Sequence, residues 1–267
     1  MNAVMPGDGD YRYLLERVET DLVRLAAVPV PGEPTSPIEE DARFLHALQI
    51  SFPFQDYVRL PLHSALDNLS LVAETLNTKG PEHLYAEKSL VRTALTTAAW
   101  ALWILDENQK DRQSRVLRFA FKNIDGMMSY YRNNATSDGP MTLEFFEKIL
   151  GAIVDCANAL EGGKHNVHSY RKDKTDNSDT AVVRSAGSSI GAVDLLKTWQ
   201  FMSGYAHGMP WAALVSATET PIENRVHGLR LPMHTPNPAR LLAASDLALT
   251  VIERAIERFE ILSRGPA

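Results

Sequence analysis

Residues 93–105, TALTTAAWALWIL, carry no charge, and this run constrains the fold more than any other stretch of the chain. A bilayer crossing needs about 20 apolar residues, so the run is too short to be one, and no membrane is expected among the partners. It predicts a helix over 86–105, nearly apolar all round, that other elements must cover on every side. Arg92 interrupts it.

The covering elements read as further helices. Residues 11–27 set Leu14, Val18, Leu22 and Leu25 at helical spacing. Ser36, Pro37 and Glu39 spell a capping box with proline in the first turn, opening a helix to about Gln49 that Phe52 and Pro53 close. Pro61 is expected to open the next, with Leu62, Leu66, Leu69, Ala73 and Leu76 as its apolar seam. The segment DENQKDRQ turns the chain into a helix over 111–133, and another follows over 141–161, stopped by Gly162 and Gly163. Residues 163–180 show no apolar period and read as an exposed loop. Helix resumes from Val182 to His207, with Gly187 or Gly191 as the break, and Trp211 to Ala217 adds a turn or two. Residues 222–233 look least helical and allow a small hairpin at His227 and Gly228. Asn237 and Pro238 cap a last helix with Leu241, Ser245, Ala248, Ile252, Ala255, Phe259 and Leu262 on its seam.

No strand–helix alternation and no fixed repeat appears, so the prediction is an all-α, single-domain helical bundle over 11–267, after a disordered segment at 1–10. A chain of 267 residues buries roughly 75% of its unfolded surface, so no disulfide or metal is needed to hold it. The single cysteine, Cys156, suits a reducing cytoplasm, and no secretion signal is visible. A net charge of −6 argues against broad, charge-driven binding to nucleic acid.

The chemistry-bearing residues follow from these placements. A guanidinium keeps its proton, so Arg92 must meet a carboxylate (Glu74, Asp67 or Asp106), carbonyls or water; otherwise it lines a pocket and binds an anion. His63 and Asp67 lie four apart on one helix face and can hydrogen-bond. Arg112 and Arg115 sit one turn apart at a helix start, where exposed amides and arginines both favour phosphate, although Asp106, Glu107 and Asp111 are nearby pairing partners. His165 and His168 form a weak metal-ligand pattern inside a basic loop. The block TWQFMSGYAHGMPW, residues 198–211, begins as an apolar helix and ends at a Gly-Met-Pro break, leaving Tyr205 and His207 near the helix end, with Ser203 one turn above His207. Histidine is the side chain suited to acid–base work near neutral pH, and Trp211 borders whatever cavity opens there. No Gly-rich phosphate loop, HExxH, Cys-x-x-Cys or nucleophile elbow is present, and no cofactor is implied.

Two blocks together, residues 89–118 and 198–214, resemble a bacterial hypothetical-protein family common in high-GC Gram-positives. Its members carry an Arg-bearing apolar helix, an Arg-x-x-Arg start to the next, and a Ser-Gly-x-x-His-Gly block. That family is similar in turn to the HEPN-like all-α superfamily of phage-defence and toxin proteins. The resemblance implies a HEPN-like core with extra N- and C-terminal helices, possible dimerisation, and metal-independent action on RNA in active members. Those carry an arginine five to seven positions before the histidine; with His207 in that role, the positions are occupied by Gln200, Phe201 and Met202. The expected function is therefore that of a degenerate member that binds a protein or RNA partner, in defence or stress response. Two other readings stay open: a ribonuclease using His207 and Tyr205 with Arg92 or Arg112, and a binder of small ligands between the helices of 61–161.

Overall fold

In a computed structural model, the described residues are 11–48, 52–78, 83, 85–134, 142–173, 178–217, 225–226, 229–230 and 238–265. The tail at 1–10, the hairpin turn at His227 and Gly228, and the Asn237 cap lie outside them. Among the described residues eleven helices run in order: α1 (Arg12–Ala27), α2 (Pro37–Ala47), α3 (Asp56–Asn77), α4 (Ala86–Ile104), α5 (Gln109–Asn134), α6 (Leu143–Glu161), α7 (Val167–Lys172), α8 (Asp179–Ser189), α9 (Leu195–Ala206), α10 (Pro210–Ala217) and α11 (Pro238–Leu262). Between the last two, β1 (Arg225–Val226) pairs antiparallel with β2 (Leu229–Arg230). Apart from this ribbon, the described residues are all-α.

The uncharged run forms the hub. α4 packs against α3, α5, α8, α9 and α11. Its alanines at 94, 98, 99 and 101 are fully buried, and three of them (94, 98 and 101) share one face, where small side chains let a neighbouring helix come close. Leu95 and Ile104 are sealed between them, where truncation to alanine costs about 2–5 kcal/mol. The seams of α3 and α11 close over α4, and one contiguous apolar core results. Among the described residues no helix is long and apolar enough to cross a membrane.

Four local expectations are corrected. Pro61 does not open α3; it lies inside it. The helix begins at Asp56 because Tyr57 and Val58 are drawn into the core, and turns on Pro53, Phe54 and Gln55 satisfy the first amides. Burial there outweighs the one backbone bond that Pro61 cannot make. The Ser36 cap forms, its Oγ accepting from the Glu39 amide at 3.3 Å, but Glu39 does not reciprocate. Its carboxylate instead accepts from the Gly32 amide and the Gln55 side chain, both at 2.7 Å. The stretch 163–180 is not simply an exposed loop, because α7 lies within it behind a reciprocal Asn166–Ser169 capping box. Tyr170 is its anchor, fully buried beneath the Arg118 guanidinium at 3.9 Å. Finally, the 182–207 helix starts earlier, at Asp179, and breaks after Ser189 into α8 and α9, with Gly191 at φ 69°. Gly187 stays helical, and a Cβ there would come within 3.0 Å of the Ala192 carbonyl.

Candidate functional site around the end of α9

How α9 ends is written in four residues. His207 is its C-cap, and Gly208 follows at φ 62°, the left-handed region a side chain disfavours. The Gly208 amide donates to Tyr205 O at 2.9 Å and the Met209 amide to Gly204 O at 2.8 Å, a Schellman closure of the last turn. Pro210 then starts α10 where no amide hydrogen is needed. This turn aims Trp211 back over α9. A Cβ on Gly204 would lie 2.5 Å from the indole Cζ2, so the glycine is what lets the ring settle there.

One face of α9 meets α4 antiparallel. Trp199 Nε1 donates to Thr96 Oγ1 at 2.8 Å, Arg92 Nε donates to Ser203 Oγ at 3.1 Å, and the Lys88 ammonium sits 4.8 Å from the Tyr205 ring centre. Lys88, Arg92, Thr96 and Trp100 are spaced four apart, so their polar atoms lie along one face of α4. The row continues to α8, where Trp100 Nε1 donates to Asp179 at 3.0 Å and Lys122 to the same oxygen at 2.6 Å. Burial pushes the Asp179 carboxyl up, but Lys122, Trp100 and the Arg92 charge outweigh it and hold the group below its ordinary value. Among the described residues no carboxylate reaches ion-pair distance of Arg92, whose guanidinium lies 5.6 Å from the Trp199 ring. Of its expected partners, Asp67 and Glu74 are exposed on α3, and Asp106 is bound to Arg115.

His207 is exposed, one turn beyond Ser203, which places it about 6 Å further along the axis than the hydroxyl that holds Arg92. Tyr205 is sealed: 1% of it is exposed, and it packs edge-on to Tyr85 and Phe201. Lys88 is buried beside it, and its sequence signal is a position one turn before Arg92 on the same face.

The other face of α9 opens into a groove of about 680 Å³ shared with α10 and α11. Phe201, Met202, Leu247, Lys197, Arg240 and Trp211 are among its lining residues. Trp211 and Val215 of the lining, and nearby Met209, remain roughly half-exposed, at 46%, 49% and 46%.

The remaining candidates disperse. Arg112 is not available to a ligand. It is 2% exposed, its Nε donates to Asp41 at 2.6 Å, and Nη1 donates to the carbonyls of Asp106 and Glu107. It fastens α2 to the α4–α5 turn, with a partner 71 residues away that spacing along the chain does not reveal. Arg115 pairs with Asp106 at 2.7 Å, stacks on Trp103, and borders a polar cleft with Arg118, Glu161 and Ser185. His63 and Asp67 are both exposed, and no hydrogen bond or ion pair joins them, so they form a solvated flank of α3. His165 lies edge-on to Tyr170, and Asn158 brackets its backbone with bonds of 2.7 and 2.8 Å. Burial raises the Cys156 thiol above its ordinary value, against reactivity. No group of three His, Cys, Asp or Glu side chains suited to a metal occurs among the described residues.

Comparison of the chain with family models, with curated proteins and with solved structures finds no match. What the molecule can do must come from its geometry.

Proposed function

We propose that the chain is a non-catalytic helical protein, HEPN-like in kind, that acts by binding a partner at the α9–α10 edge, in phage defence or a stress response. The observation that carries this reading is Trp211. The fold uses a glycine at 204, a left-handed glycine at 208 and a proline at 210 to seat a large aromatic ring against α9, yet leaves 46% of it exposed. Pre-organised aromatic side chains of this sort dominate binding energy at interfaces. The setting in defence rests on the resemblance of the two sequence blocks alone. A photo-crosslinking amino acid in place of Trp211, expressed in the source cells, is expected to yield a discrete protein adduct, whereas the same probe at exposed His63 yields none. Equal labelling at both sites counts against the reading.

A second reading, a metal-independent ribonuclease, draws on the bond from Arg92 to Ser203, one turn from the exposed His207. Single-stranded RNA incubated with the purified chain and a chelator separates the two. Intact RNA supports binding alone; cleavage that disappears in His207→Ala and in Arg92→Gln establishes the enzyme.

A further inference from the structure

A smaller pocket, of about 250 Å³, lies between α3 and α5. Seven of its eight lining residues belong to those two helices, both described without a gap, and the eighth is Phe52. Its walls are aromatic. Tyr57 packs edge-on to Phe52 and Phe119, with ring centres 6.1 and 5.9 Å away, and Phe119 is backed by Trp100, stacked at 4.8 Å. Three polar side chains on the lining make no hydrogen bond or ion pair with the described residues: half-buried Asp56 and Ser64, and Tyr57, which is 4% exposed. Burial pushes the Tyr57 phenol up; the nearby Asn123 amide pulls it the other way without reaching bonding geometry. A further acceptor comes from the backbone. Pro61 has no amide hydrogen, so the Tyr57 carbonyl, four residues earlier, lacks its helical donor.

An acid in the first turn of a helix often serves the exposed amides there. Asp56 is not needed for that, because backbone carbonyls already take the first amides of α3: Asp56 and Tyr57 donate to Pro53 O and Phe54 O, and Val58 and Arg59 to Gln55 O. Its carboxylate is the one charge among the described lining residues, which include no lysine, arginine or histidine. Carboxylate and carbonyl oxygens only accept hydrogen bonds, and aromatic faces attract cations, so the lining calls for a positively charged donor. About 150 Å³ is enough to enclose a benzene ring, so this pocket admits one ring with a short arm.

We infer that the α3–α5 pocket binds a small arylalkylamine in its protonated form, with the ammonium against the Asp56 carboxylate and the ring against Tyr57 and Phe119. This goes beyond the partner-binding reading, concerns a different part of the molecule, and does not depend on it.

The test titrates the full chain by isothermal calorimetry near neutral pH, where an alkylamine is protonated. Phenethylamine is compared with two molecules of similar shape, uncharged phenethyl alcohol and anionic phenylacetate. The amine is expected to saturate one site and to bind at least about tenfold more tightly than the alcohol, because a charged hydrogen bond is lost in the latter. Phenylacetate is expected to give no saturable heat. Asp56→Asn should weaken the amine about tenfold and leave the alcohol within about twofold. Leu60, on the lining and 58% exposed, can take a cation without disturbing the core, so Leu60→Lys should also weaken the amine about tenfold or more. Circular dichroism of both variants confirms that they are folded. Equal affinity for amine and alcohol, tighter binding of phenylacetate, or no saturable binding of the amine overturns the inference. So does an amine isotherm that both variants leave unchanged, because the ligand then sits elsewhere. None of these outcomes alters the crosslink expected at position 211, so the two readings fail separately.

Discussion

Replacing Asp21 with asparagine should stabilise this protein at neutral pH and do almost nothing in acid. Asp21 lies on α1 facing α11 with 2% of its surface exposed. One carboxylate oxygen meets Arg24 at 3.3 Å, and the other has no hydrogen-bond partner. The surrounding ladder is crowded with carboxylates. Arg17 is shared between Asp246 at 2.9 Å and Glu253 at 2.7 Å, and Arg24 also binds Glu260 at 3.1 Å. Burial, followed by the Glu253 charge, pushes the Asp21 carboxyl from its ordinary 3.8 up to about 6, while Arg24 and Arg17 pull the other way.

Between those two values the folded chain binds more protons than the unfolded one. Stability therefore falls as the pH rises through the window and stays lower above it. At about 1.4 kcal/mol per tenfold, the ionised group costs on the order of 3 kcal/mol at neutral pH. Asparagine keeps the shape and loses the charge, and the opposing pull of Arg24 is already contained in that figure. The net expectation is a gain of about 2–3 kcal/mol near pH 7.5, or roughly 4–12 °C in midpoint for a chain of this size. Near pH 4 the aspartate is protonated in the folded chain, and the gain should shrink to about zero or reverse slightly. Urea denaturation of both proteins across this pH range measures the difference directly. Equal stability at neutral pH, or a gain that persists undiminished in acid, refutes the argument.

Three further outcomes follow from named contacts. Arg112→Met strips the Asp41 carboxylate of its buried partner and orphans two carbonyls, so unfolding free energy should drop by about 3–5 kcal/mol, with much of it recovered in the double variant carrying Asp41→Leu. Gly208→Ala places a side chain at φ 62° and should cost about 1–2 kcal/mol in chemical denaturation, with an altered Trp211 environment in the fluorescence spectrum. Asn158→Ala removes both bonds that clip His165 to α6; it should cost about 1–2 kcal/mol and make 163–173 the first site of limited proteolysis, and unchanged cleavage there would show that Tyr170 alone holds the segment.

Much of this fold was legible along the chain, and much of the site was not. The uncharged run at 93–105 announced the hub, and the leucine seams of α1, α3 and α11 announced what covers it. Helical period, caps and stops are properties of neighbouring residues, so Ser36, Gly162 and the Gly-Met-Pro break could be read where they stand. Pro61 and Tyr170 could not, because what decides each is burial against residues far away in sequence. The same holds for function. Arg112 and Arg92 look alike on paper, each an arginine in a helical pattern. Packing sealed the first against Asp41 and left the second reaching across to Ser203. Lys88 acquired meaning only when α4 and α9 ran antiparallel in this register, and Trp211 only when Gly204 let it lie down. The sequence by itself determined most of the helical segments and their apolar faces, since period, caps and stops depend on contacts within a few residues. Tertiary structure alone decided which polar side chains are spent on holding helices together and which still face a partner, since that depends on how distant helices cross.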